Sequence, residues 1–148
     1  LFFVAGAIYV NLHREKVSQL DGIGRVMPWT MGAFAVGAIG LAGIPPVNGF
    51  ISKWYLGMGA IESGNIIPLG ILVLSGLLNI AYLFPIVYAA FFKKGENLEG
   101  KGEAPLFMVI PLVITAILSL LLGIFPDLFF GLYRLAGSVA ASIMGVGV

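Results

Sequence analysis

Gly40-Leu41-Ala42-Gly43-Ile44-Pro45-Pro46-Val47-Asn48-Gly49-Phe50-Ile51-Ser52-Lys53-Trp54-Tyr55-Leu56 is the stretch on which the reading of this chain turns. It lies inside an apolar run, 28–61, whose only charged residue is Lys53. The run has about 34 residues, whereas one straight membrane span needs about 20. Pro45 and Pro46 fall near its middle. A proline has no backbone N–H and crowds the turn before it, so the carbonyls of Leu41 and Ala42 lose their helical partners. In lipid such groups must be satisfied by protein or by water. The expectation is a discontinuous helix, with Pro45, Pro46, Asn48, Gly49 and Ser52 forming a hydrated break. A lysine a short way beyond it costs about 2.5–3.5 kcal/mol at the bilayer centre on insertion scales. A chain that keeps such a charge is by default moving or sensing charge.

Composition sets the solvent. Hydrophobic residues make up 59% of the 148 and charged residues 10%, against roughly 25% charged in a soluble domain, and mean hydropathy is +1.05. The chain therefore reads as an all-α, polytopic membrane bundle. A net charge of +1, with no basic run longer than Lys93-Lys94, excludes nucleic acid as a partner. There is no cysteine, hence no disulfide, thiolate metal site or iron–sulfur cluster. No Ser-His-Asp arrangement, phosphate loop or metal cluster stands out. No catalytic residue, cofactor or metal is expected from this chain.

Four apolar blocks are separated by polar punctuation. Residues 1–12 are too short to span and lack a basic n-region and a cleavage site, so they do not read as a signal peptide. They read as the tail of a membrane helix, and the chain as the C-terminal part of a longer protein. A polar loop comes next, carrying His13, Arg14, Glu15, Lys16, Asp21 and Arg25. Pro28 suits the first position of a helix, and Trp29 suits the membrane interface. After the broken helix 28–61 come a helix at 66–92, with a kink expected at Pro85, a charged loop 93–104 and a helix at 105–125. The glycine-rich tail 126–148 reads as interfacial or as a final helix. Positive charge marks the cytoplasmic side, and loops 13–27 and 93–104 both carry it. They share a side only if 28–61 crosses once, which favours one discontinuous helix over a hairpin.

The other polar positions have plain readings beside functional ones. Ala33, Gly37 and Gly40 form a small-residue face suited to close helix packing. Ser75 and Asn79, with Tyr82 a turn on, and Thr115 and Ser119 form candidate polar stripes along a water path. Helix–helix hydrogen bonds or bonds to their own i−4 carbonyls explain them more simply. Glu62 lies nine residues after Lys53, about half a turn out of phase, so the two should not pair. Lys53 itself either titrates in a low-dielectric site or reaches an interface as an anchor, the reading that neighbouring Trp54 and Tyr55 support.

Three runs carry a resemblance: Gly22-Ile23-Gly24-Arg25-Val26-Met27-Pro28-Trp29-Thr30, Gly40-Leu41-Ala42-Gly43-Ile44-Pro45-Pro46 and Gly49-Phe50-Ile51-Ser52-Lys53. Together they resemble the antiporter-like membrane subunits of respiratory complex I, membrane-bound hydrogenases and Mrp-type cation/proton antiporters. Met-Pro-Trp-Thr-Met and Ser-Lys-Trp-Tyr-Leu look closest to the Mrp-type branch, in its D-type member. The resemblance implies about fourteen helices in two inverted repeats, of which this chain holds the second broken helix and the helices beyond it. It matches Lys53 to the family's ionisable position there and makes it a proton relay. It implies partner subunits, H⁺ and Na⁺ as transported ions, and a bacterial or archaeal cell membrane. A redox-driven proton pump of the NADH–quinone oxidoreductase or hydrogenase type is the alternative within the family, and a structural scaffold subunit the alternative outside it. Nothing in the chain looks able to bind NADH or quinone, and alone it should not transport.

Overall fold

The computed structural model describes residues 1–64, 66–95, 102–125 and Ser138. The described residues are helical, in the order α1 (Phe2–Leu12), α2 (Ile23–Val26), α3 (Pro28–Ala42), α4 (Asn48–Glu62), α5 (Ile66–Phe92) and α6 (Leu106–Ile124), with a 3-10 turn at Val17–Gln19. The tail 126–148, Ser138 apart, lies outside the described residues, as do Glu96, Glu99 and Lys101 of the charged loop. By length and composition α5 and α6 can each cross a membrane alone.

The second apolar block is two half-helices of 15 residues each. Pro28 occupies the first turn of α3, where its missing N–H leaves nothing unpaired. The helix stops at Gly43, whose φ of 77° is open to glycine at little cost. Its N–H bonds the carbonyls of Ile39 and Gly40 at 3.0 and 3.1 Å. The chain then passes Pro45 and Pro46, joined by a cis peptide bond, and re-enters helix at Asn48 behind an extended Val47.

One long helix aligns the halves. The 27 residues of α5 span about 40 Å, and three contacts set their order along it. Near its end, the Ala89 carbonyl accepts from Gly22 N–H just ahead of α2 and α3 (3.0 Å). In its middle, Asn79 reaches the Leu41 carbonyl at the end of α3. Near its start, Leu69 packs on Gly57 of α4. The halves therefore lie end to end beside a single long helix. Pro85 lies inside α5 without ending it.

Residues 13–27 and the described ends of the second loop, 93–95 and 102–104, consequently gather at one end of the bundle, where the main apolar cluster sits. Val4, Ala7 and Ile8 of α1 meet Ile23, Met27, Met31, Ala90, Ala104, Val109 and Leu112 there. The region 13–27, a polar loop from its sequence, is partly folded and partly buried: Ile23 and Met27 are fully enclosed. Ile23 and Met27, with Leu20 and Val26 packed beside them, draw this segment onto the bundle, because van der Waals packing drives helix association in lipid.

A carboxylate also ties the loops together. Glu103 accepts from the backbone N–H groups of Trp29 (3.0 Å) and Thr30 (3.3 Å) and from the Thr30 hydroxyl. These are orphan donors of the first turn of α3, where the helix dipole favours negative charge. Thr30 is fully buried, so its polar atoms depend on this partner. Asn11 clasps the same segment through the Gly102 carbonyl (2.6 Å). The Lys93–Asp21 pair, at 3.6 Å, is half exposed and adds little. Glu103→Ala is expected to lower stability by about 1 kcal/mol, the usual scale of a lost cap, with Glu103→Gln recovering part of it. Thermal unfolding of the assembled protein reads this, and an unchanged midpoint in Glu103→Ala would remove the capping role.

Candidate functional site

The break between α3 and α4 is a place where backbone has been stripped of its partners. In an unbroken helix the Leu41 carbonyl would accept from residue 45 and the Ala42 carbonyl from residue 46. Both are proline. The carbonyls are met instead by side chains: Lys53 Nζ lies 2.7 Å from Leu41 O and 3.2 Å from Ala42 O. Lys53 sits in the second turn of α4, and side chains on a helix lean toward its N-terminus. Its ammonium therefore reaches back across the break to the negative end of the α3 dipole. Asn79 on α5 adds a third hydrogen bond, Nδ2 to Leu41 O at 2.8 Å, and its own Oδ1 accepts from the Tyr82 hydroxyl at 2.8 Å.

Close approaches make room for this. A Cβ on Gly43 would lie 2.5 Å from Lys53 Cδ, in the path of the lysine stem. A Cβ on Gly49 would collide with the Gly40 carbonyl oxygen, so the first turn of α4 rests directly on the last of α3. Gly123 brings α6 against the break, where an added Cβ would run into the Pro46 carbonyl. Gly76 lies beside the Ala42 carbonyl and Lys53 Nζ.

Among the described residues no carboxylate comes within ion-pair distance of Lys53, and no group of three His, Cys, Asp or Glu could hold a metal. The ammonium is held by neutral oxygens, turned into the bundle, while neighbouring Trp54 and Tyr55 are half exposed on the outer face.

The other sequence candidates divide. Pro45 and Pro46 make the break, Asn48 opens α4, and Gly49 sets the closeness of the halves. Ser52 bonds the Asn48 carbonyl of its own helix at 3.2 Å. Asn79 joins the Lys53 carbonyl pair. Thr115 turns back on Pro111 and Leu112 of its own helix, both at 2.9 Å, and Ser75 is exposed on α5. Ser75, Thr115 and Ser119 make no hydrogen bond to the break among the described residues. Gly76 and Gly123 carry no local mark in a sequence that contains 21 glycines, so their roles emerge only here. The same holds for Glu103, whose partner lies 73 residues away.

Similarity to known proteins runs through the same residues. The family described as NADH:quinone oxidoreductase/Mrp antiporter, transmembrane, matches residues 1–79, which include the whole break and Lys53. NADH-quinone oxidoreductase subunit N of Desulforudis audaxviator is 36% identical over 140 residues, covering 86% of this chain and 28% of that protein. The putative antiporter subunit mnhD2 of Staphylococcus saprophyticus is 32% identical over 111 residues, 75% of this chain and 21% of that protein. Hydrogenase-4 component B of Escherichia coli is 28% identical over 137 residues, 84% of this chain and 20% of that protein. The chain thus spans between a fifth and three tenths of the length of these relatives. In the solved Mrp complex of Dietzia sp. DQ12-45-1b, one chain shares the fold with a TM-score of 0.82 at 23% identity, over 95% of this chain and 34% of that one. With a broken helix closed by a lysine and a family match across it, this integral membrane chain belongs to the NADH:quinone oxidoreductase/Mrp antiporter transmembrane family.

Proposed function

We propose that this chain is part of a membrane subunit that moves protons across the bilayer in exchange for Na⁺, as in an Mrp-type antiporter, with Lys53 as the titrating relay. The observation that carries the reading is the lysine ammonium held on the two carbonyls that Pro45 and Pro46 free. Proton loss converts the ammonium to a neutral amine, and the proton passes to water at the break. Neutral carbonyls bind the charged form well and let it go without leaving an unpaired carboxylate behind. Other membrane subunits complete the complex, as the names of its relatives suggest. The loops that carry Arg14, Lys16, Arg25, Lys93 and Lys94 face the cytoplasm of a bacterial or archaeal cell.

A second reading has its own support. The identity of 36% to subunit N of NADH-quinone oxidoreductase exceeds the 32% to mnhD2, which favours a redox-driven pump. One experiment separates them. Inside-out vesicles containing the assembled complex are given a respiration-independent pH gradient, then Na⁺ or choline. Collapse of the gradient on adding Na⁺ but not choline is the expected result. No response to Na⁺, with acidification driven only by NADH, would move the chain to the redox-driven branch.

A further inference from the structure

We propose that the cavity between α1, α3 and α5 holds one acyl chain of an anionic phospholipid, whose phosphate sits on Arg14. The site is separate from the break and does not depend on how Lys53 works. Its volume is about 530 Å³, within the range of about 300–1,000 Å³ usual for small-molecule sites. Ile8 of α1, Phe34 of α3 and Ile86 of α5 are among its walls, and Tyr9, Arg14 and Glu15 line it where it meets the polar loop.

The walls decide what enters. Apolar side chains give water few partners, and walls with nothing against them forfeit their dispersion contacts. In a bilayer the filler at hand is a hydrocarbon chain. Gly6 keeps the space open: it lines the cavity, and nothing lies within 4 Å of a Cβ added to it.

The loop end of the cavity selects the head group. Arg14 is partly buried, while Glu15 and Lys16 beside it are exposed. Its guanidinium donates to the Gln19 carbonyl of the 3-10 turn that follows, so the loop's own fold holds it at the cavity. A guanidinium matches a phosphate through parallel N–H bonds, and basic pockets between membrane helices take anionic head groups. The charge around Arg14 has the same sign. Of the acidic residues described at this end, Asp21 faces Lys93 at 3.6 Å, and Glu103 is taken up by the first turn of α3. Arg14, Lys16, Arg25 and Lys94 then stand against Glu15. Tyr9 and Trp29, both exposed at this end of the bundle, belong at head-group depth. The protein thus offers a cationic rim and an apolar interior in the order in which a phospholipid carries its phosphate and its chain.

The test is photo-crosslinking in the purified, assembled complex. The probes are phosphatidylglycerol and phosphatidylcholine with the same diazirine-bearing acyl chain, and crosslinked peptides are identified by mass spectrometry. Phosphatidylglycerol is expected to label the segments around Ile8 and Phe34 about fivefold more than phosphatidylcholine, the usual effect of one basic residue at an anionic lipid surface. Arg14→Gln is expected to remove that preference and Glu15→Gln to increase it. Gly6→Leu fills the cavity and favours helix over glycine, and is expected to abolish labelling there by both lipids. Should Gly6→Leu fail to assemble, Ala5→Leu fills the same space and is read in the same way. Leu74, Leu77 and Leu78, exposed on α5, are labelled equally in every variant and serve as the reference. Equal labelling of the cavity by the two lipids, a preference that survives Arg14→Gln, or labelling that survives filling overturns the site. So does a cavity that neither lipid labels while the α5 reference is labelled, the result for a cavity occupied by protein.

Discussion

Complexes carrying Lys53→Met are expected to assemble in the membrane and, on the proposed relay reading, to lose coupled proton movement by about tenfold or more, since only 1.4 kcal/mol on a barrier suffices for tenfold. Methionine keeps the length and apolar body of lysine, so α4 still packs. The Leu41 carbonyl retains Asn79, and the Ala42 carbonyl loses its side-chain partner. One buried acceptor left to find water costs about 1–3 kcal/mol, which a multi-helix bundle can absorb. Lys53→Arg sharpens the result. A guanidinium can still reach the freed carbonyls and would anchor a helix as well as lysine does, but it is not deprotonated in proteins. A relay therefore fails with arginine as it does with methionine, whereas an anchor survives. Proton movement in proteoliposomes is measured for wild type, Lys53→Met and Lys53→Arg at equal assembled amounts. Transport by the arginine variant at the wild-type rate would leave Lys53 as an anchor and make this region a scaffold.

Gly49→Ala is the second large effect, and it comes from one methyl group. The added Cβ collides with the Gly40 carbonyl oxygen and lies 2.7 Å from its carbon and 3.1 Å from its Cα. All three are backbone atoms, so no side chain can swing aside and the half-helices must separate. Overpacking a filled contact costs about 1–3 kcal/mol, and a rigid backbone obstacle places this site at the upper end. Separation also draws Lys53 away from Leu41 and Ala42, so activity falls along with stability. Gly59 on the same helix is the control: nothing lies within 4 Å of its added Cβ, and alanine there gains about 1 kcal/mol of helix propensity. Thermal unfolding of the detergent-solubilised complex is expected to shift down for Gly49→Ala and to hold or rise for Gly59→Ala. Equal midpoints would mean that the two half-helices do not touch at Gly49.

The positions of these effects show how far the sequence reaches. Pro45 and Pro46 act on their own backbone, four residues back, and the loss of two N–H donors there is a local consequence of proline chemistry. The discontinuous helix, the two freed carbonyls and the membrane setting are all legible for that reason. Three groups are not: Gly123, which meets Pro46 from α6; Gly76, which meets Ala42 from α5; and Glu103, which caps α3 from a distant loop. Each acts on a partner far away in the chain, and nothing local distinguishes it from its neighbours. Asn79 stands between, visible as a polar residue in an apolar helix but not as the partner of Leu41.

The sequence by itself determined that this chain is a membrane bundle with one broken helix and one lysine beyond the break. Apolar length, proline geometry and the cost of a buried charge are properties of the residues themselves. Only the tertiary structure decided what that lysine meets. Lys53 reaches back twelve residues to Leu41, and Asn79 comes in from another helix to the same oxygen. Which acceptor a long, flexible ammonium takes depends on where the two half-helices and α5 come to rest. That placement is set by helix contacts spread over the whole bundle, with glycines allowing backbones to touch, and no short stretch of the chain contains it.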